Sequence, residues 1–355
     1  MVNTSSDDVL LNDTTHIEEI ITRHLWTYVG CMIIIIGTLG HFLSITVMAT
    51  SRSFRIQCST VYLITMSISG LLPLYTGLLR FVIFIGISGW ENDLRDTSDA
   101  VCRFHMTMTY ASLQYFAWLQ ATIAVDRLIS VAVPHKYAML FSWKIGIVVV
   151  AFELLAVVGL NMAVAFTTGF NENGSCAILK QSFFNNVWTY IDLLSFSLVP
   201  ATILIICNTA ILFLLYQRQY RVASDSSSKI ARSITVMLMS LNVLFLITTL
   251  PISIMALQQF IKWGDYGSKQ YALMDLIWSV CSLFQYAGSA CTFFVYFVTG
   301  SKFREELRQM PSRLCIRIKT TSKSTSNTTN LWLSAPPDTC SFNGGGSKSS
   351  IASSR

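Results

Sequence analysis

Charge is scarce in this 355-residue chain: Asp, Glu, Lys and Arg make up 12% of it, while 52% is hydrophobic. Soluble domains carry roughly a quarter charged residues, so the shortage excludes an ordinary water-soluble fold. A basic start followed by an apolar core is also missing. The first 24 residues are polar and acidic, with Asp7, Asp8, Asp13, Glu18 and Glu19, so no cleavable signal peptide is expected and helix one must insert the chain itself. The sequence shows no internal repeat, glycine-rich phosphate loop, zinc-ligand spacing or nucleophile triad. An enzyme reading therefore has no support, and no cofactor or metal is implied. Repeated halves or helices broken near the midplane, which a small transporter or channel calls for, are equally missing.

What the chain does have is long apolar runs. Spanning a bilayer takes about 20 mostly apolar residues in a helix, because lipid cannot satisfy free backbone groups. Stretches near residues 25 to 49, 60 to 86, 101 to 131, 143 to 167, 187 to 216, 230 to 258 and 270 to 298 meet that need. The expected fold is all-α: a seven-transmembrane helix bundle over 25–298, behind an N-terminal segment over 1–24. A juxtamembrane amphipathic helix is expected over 299–317 and a disordered tail over 318–355, the tail being rich in Ser, Thr, Gly and Lys.

Basic residues mark the cytosolic side of a membrane protein. Arg52 and Arg55, then Lys136, then Arg218, Arg221 and Lys229, lie in the loops that share a side with the C-terminus; Glu91, Asp93, Asp96, Asp99 and Glu172 lie in the opposite ones. The N-terminus is expected outside and the C-terminus in the cytosol. The net charge of +6 sits on the cytosolic loops and tail, so it reads as topology and attraction to anionic lipid rather than to nucleic acid. Asn3, Asn12 and Asn173 open glycosylation triplets on the expected outer side.

The nine cysteines sort by depth. Cys31, Cys207, Cys281 and Cys291 lie in helices and Cys58 near an inner end, whereas Cys102 and Cys176 face the oxidising side. A disulfide between these two is expected, with two free thiols as the alternative.

Cys102 opens a helix whose inner end is Asp126-Arg127-Leu128, and at about 1.5 Å per residue the interval spans about 37 Å, a full bilayer with some tilt. A helix carrying both marks, with Pro134 seven residues past Arg127, resembles helix three of the rhodopsin-like G-protein-coupled receptors. The likeness covers about residues 25 to 310. Pro200 resembles the helix-five proline, Phe245 and Pro251 the helix-six aromatic and kinking proline, and Tyr296 with Phe303 the helix-seven tyrosine and the start of a short cytosolic helix. Within that helix Phe303, Leu307 and Met310 share helical spacing, with Cys315 beyond it as a palmitoylation candidate or a free thiol.

The resemblance implies that Asp126 holds Arg127 until helix six swings outward, when a G-protein helix enters the cytosolic cleft. Snorkelling of both charges at the helix end is the plainer alternative. No acid at the foot of helix six adds a second clasp, since Ala231 stands near the matching place, and raised basal activity is expected. The family pattern is also broken at His41, Gly70, Phe116, Thr249 and Thr292, so its sodium pocket is expected to be lost.

Thr109 stands where amine receptors resembling this chain carry an aspartate, and Tyr286 where opsins carry the retinal lysine; neither ligand class fits. Arg80, Gln114, Asp192, Gln259 and Asp275 remain as charged or polar candidates in the outer halves of the helices. Trp188, Trp278 and Tyr286 accompany them. Arg80 facing Asp192 across a wide mouth suits a short peptide, though the two residues can equally pair with each other or with loop groups. Glu153 is expected as hydrogen-bonded glue on helix four, and Gln120 as the partner of Asn242 and Thr292. Clustered hydroxyls in the tail invite phosphorylation and, by resemblance, arrestin. The function expected is a plasma-membrane receptor for an extracellular ligand, a neuropeptide, acting through a heterotrimeric G protein; a chemosensory receptor for small molecules is the alternative.

Overall fold

The computed structural model describes residues 17–51, 58–219, 226–262 and 268–310, leaving aside the side chains of residues 138, 218–219, 226–234, 258–262 and 268–269. Asn3, Asn12, Cys315 and the tail lie outside that description, as do the side chains of Ala231 and Gln259. The chain divides into a unit over Met1–Pro311 and a second over Ser312–Arg355, which falls wholly outside it.

The described chain is a seven-helix bundle. Helix one runs Ile17–Thr50, helix two Cys58–Ile87, helix three Asp99–Ala132, helix four Trp143–Thr167, helix five Gln181–Gln217 and helix six Ser226–Lys262. Helix seven is bent by 48° between Gln270–Ala290 and Thr292–Thr299. A short helix, Pro134–Leu140, follows helix three, and residues 301–310 form a final one. By length and apolar composition five of the described helices qualify as spans, or six with helix seven counted as one. Helix three is not among them, because Gln114, Gln120, Asp126 and Arg127 dilute its apolar run; all four are buried within the bundle.

Lipid is as apolar as leucine, so packing and hydrogen bonds rather than the hydrophobic effect hold such helices together. Small residues allow the closest approaches. A Cβ on Gly37 of helix one would lie 2.7 Å from Leu74 of helix two and 2.9 Å from Ala290 of helix seven. At Gly70 a Cβ would lie 2.6 Å from Nε2 of His41, so the imidazole of helix one fills the space that glycine leaves. One core cluster joins Met66, Leu119, Leu204, Leu238, Tyr296 and Phe303. A second, toward the disulfide end, joins Trp26, Leu74, Leu78, Val82 and Tyr286.

Beyond helix four the chain turns back as a two-stranded antiparallel hairpin, Thr168–Phe170 against Cys176–Ile178. Gly174 takes φ +74 in its turn, a conformation that suits a residue without a Cβ.

Candidate functional site

Two polar centres occupy opposite ends of helix three. At the first, Arg127 donates from Nε and Nη2 to Oδ2 of Asp126 at 3.1 and 2.6 Å, and both residues are buried. Neighbouring residues at a helix end can snorkel outward into water; these two do not. The carboxylate is further held by the Tyr137 hydroxyl, which donates to Oδ1 at 2.8 Å, and by Ser59 of helix two, which donates to Oδ2 at 3.3 Å. Pro134 explains how Tyr137 gets there. It occupies the first turn of the short helix, where a missing N–H costs nothing, and Tyr137 follows one turn later with its ring stacked on Phe141 at 4.9 Å. The helix-six position, Ala231, lies outside the described side chains, and the hold seen here, which sequence reading did not anticipate, comes instead from the loop helix and helix two. Hydropathy does not reveal it, because a seven-residue helix leaves no apolar signature.

Nearer the middle of helix three, Phe116 lies 6.5 Å from Phe245 of helix six, itself six residues before Pro251 inside the same helix. Tyr296 is fully buried, its hydroxyl 4.0 Å from the Met66 sulfur and its ring 5.5 Å from Phe303. The expected network of Gln120, Asn242 and Thr292 is not formed. Asn242 instead donates to Asn208 of helix five at 3.0 Å, and Thr292 donates to the Ser289 carbonyl in its own helix at 2.7 Å. Gln120 and Thr292 line one cavity with Phe245 and Tyr286, and Oε1 of Gln120 has no partner among the described residues. Glu153 accepts from Thr122 of helix three at 3.1 Å.

The second centre lies at the disulfide end. Cys102 and Cys176 are bonded, with Cα atoms 5.5 Å apart. Two acids brace the hairpin from its neighbours: Asp96 accepts from the Cys176 amide at 2.6 Å and Asp99 from the Phe170 amide at 2.8 Å. The Arg103 guanidinium, and after it that amide, hold the Asp99 carboxyl below its ordinary range. Asn173, in the turn of the hairpin, is exposed.

Arg80 and Asp192 do not face each other as free charges. Arg80 donates to Asp93 at 2.6 Å, as does Arg95 at 2.7 Å. Burial pushes the Asp93 carboxyl up, but hydrogen bonds from Arg80 and then Arg95 outweigh it and hold the group well below the usual carboxylate range. Asp192 of helix five accepts from Gln114 at 2.8 Å, and Oε1 of Gln114 accepts from Asn161 of helix four at 2.7 Å. Gln114 thus ties three helices together, with Asn161 as the member that sequence reasoning missed. Trp188 is buried edge-on against Tyr110 at 5.8 Å, and Thr109 donates to the Thr76 carbonyl at 3.1 Å. Trp278 packs 5.1 Å from Phe81 and 5.9 Å from Trp26, in the cluster that also holds Tyr286. Asp275 lies within electrostatic range of Glu19, so helices one and seven present acids to this end.

Residues 40–296 match the family described as 7 transmembrane receptor (rhodopsin family). The hydroxycarboxylic acid receptor 2 of Rattus norvegicus is 26% identical over 247 residues, which cover 67% of this chain and 66% of that relative. The chain thus spans just under two thirds of the relative's length.

Proposed function

We propose that this chain, which belongs to the rhodopsin family of seven-transmembrane receptors, carries the signal of an extracellular ligand to a heterotrimeric G protein. The observation that supports this most is the buried Asp126–Arg127 pair, clasped by Tyr137 and Ser59 at one end of the bundle. A guanidinium buried near the membrane edge is costly unless paired, and a pair held by loop and helix groups can exchange partners when those groups move. In this reading the Arg127 end faces the cytosol and the disulfide end faces outward at the plasma membrane. Arg127 is the latch, Pro134 sets the loop clasp, and Phe245, Pro251 and Tyr296 carry the helix-six and helix-seven movement. Cys315 is a palmitoylation site, and the hydroxyl-rich tail recruits arrestin once phosphorylated.

The ligand proposed is a short peptide, whose termini need both signs of charge. Arg80 and Arg95 on one side of the outer end, and Asp275 with Glu19 on another, support it. A small-molecule ligand is the second reading, favoured by the rat relative, whose name gives it hydroxycarboxylic acids. A peptide-library screen on cells expressing wild type or Arg127→Ala, scored for G-protein dissociation, tests the proposal. Responses abolished by the substitution support it; responses that survive unchanged remove the latch.

A further inference from the structure

Two guanidiniums converge on one carboxylate at the disulfide end. Nη2 of Arg80 lies 2.6 Å and Nη2 of Arg95 2.7 Å from Oδ2 of Asp93, in side chains only 11%, 15% and 4% exposed. One carboxylate balances one of the two cations, so the trio keeps a net positive charge in a place largely withdrawn from water, where such a charge favours a further anion.

The surroundings offer donors and an apolar wall. Among the described residues Nη1 of Arg95 has only the Met106 sulfur, at 2.9 Å, as acceptor, and a thioether accepts weakly. Nδ1 of His105 is buried without a partner among the described residues, within electrostatic range of Arg80, Arg95 and Asp93. The Arg80 guanidinium sits 4.8 Å over Phe81, whose ring also contacts Trp26 and Trp278. Other acids at this end are engaged elsewhere, Asp96 by the Cys176 amide and Asp99 by Arg103. Asp192 is engaged by Gln114, and Asp275 lies toward Glu19.

We infer that Arg80, Arg95 and His105 form a binding site for an organic carboxylate, with the aromatic wall of Phe81, Trp26 and Trp278 taking the body that carries it. The carboxylate accepts from Nη1 of Arg95 and from His105 in the tautomer protonated at Nδ1, while Asp93 offsets one of the two guanidinium charges and so competes with the incoming acid. The site rests on the reading of this end as the outer mouth. It serves a peptide C-terminus and a small acid through the same chemistry.

The test is thermal melting of the purified full-length chain in lipid nanodiscs with phenylacetate, phenylacetamide, glycyl-phenylalanine and its amide. Saturable stabilisation by the two acids and none by the two amides is expected. Arg95→Gln should abolish the shift. Asp93→Asn frees both forks, and half-maximal stabilisation should then need about tenfold less acid, an effect that misfolding does not mimic. A larger shift with the dipeptide than with phenylacetate assigns the carboxylate to a peptide end, and the reverse to a small acid. Equal effects of acid and amide, a shift that survives Arg95→Gln, or no tightening in Asp93→Asn overturn the inference. Failure to activate a G protein bears on the proposed signalling alone, because the melting shift needs no transducer.

Discussion

The Tyr137 hydroxyl donates to Oδ1 of Asp126 at 2.8 Å while the opposite oxygen of the same carboxylate holds Arg127 at 2.6 Å, so one acid joins the loop helix to the latch. Tyr137→Phe keeps the ring on Phe141 and deletes only the donor. A hydrogen bond to a charged group contributes about 1.5–3 kcal/mol, so ligand-free nucleotide exchange on the G protein should rise roughly tenfold. Basal exchange equal to wild type would show that Tyr137 does not restrain Arg127.

Gln114 is the hub of a three-helix link, and Gln114→Leu leaves Asp192 and the Asn161 amide short of partners. Loss of about 2 kcal/mol of stability is expected, read as a lowered melting temperature. A double-mutant cycle with Asp192→Leu should show coupling of about 1 kcal/mol, and strict additivity would deny the link.

At Gly70 the prediction is steric. Gly70→Ala drives a methyl into the His41 ring and should cost about 1–3 kcal/mol. The same substitution in a His41→Ala background should cost much less, since the obstructing ring is gone. An equal cost in both backgrounds would place the strain elsewhere.

Asp93 yields a pH dependence. Its folded-state pKa lies below the unfolded value of about 3.9, so the stabilisation it provides is complete above that value and is lost as pH falls through the folded one. Between about pH 7 and pH 4 this group should leave the melting temperature unchanged, with decline only below. Asp93→Asn should start about 3 kcal/mol lower and lack this group's share of the acid decline. A loss that begins near neutral pH in wild type and vanishes in the variant would contradict the assignment.

Much of this was legible in the sequence, for reasons that differ by element. Helix four runs from Trp143 to Thr167, matching the apolar stretch, because Lys144, Glu153 and Asn161 are the only strongly polar residues in its sequence. Helix one is already coiled at Ile17, ahead of the apolar stretch near residue 25, since hydropathy stops at Glu18, Glu19 and Arg23 although the backbone coils on through them. Arg23 is then held by the Gly86 carbonyl of helix two at 3.0 Å, a partner remote in sequence. Pairings across the bundle were the least legible. Periodicity places Gln120 and Asn242 in the interior but not the helix rotations that give Asn242 to Asn208. A loop partner for Arg80 was among the sequence alternatives, but not its identity as Asp93, and nothing pointed to Tyr137 as a hold on Asp126.

The hairpin beyond helix four is gripped through its main chain: Asp96 and Asp99 take the amides of Cys176 and Phe170, and only one of its side chains, the cysteine, is bound covalently. Amides are common to nearly every residue, so these two bonds set little demand on the side chains of the strands, except at Gly169, where a Cβ would lie 2.6 Å from the Arg103 guanidinium. The covalent bond and two main-chain bonds thus anchor the hairpin while most of its side chains remain open to change.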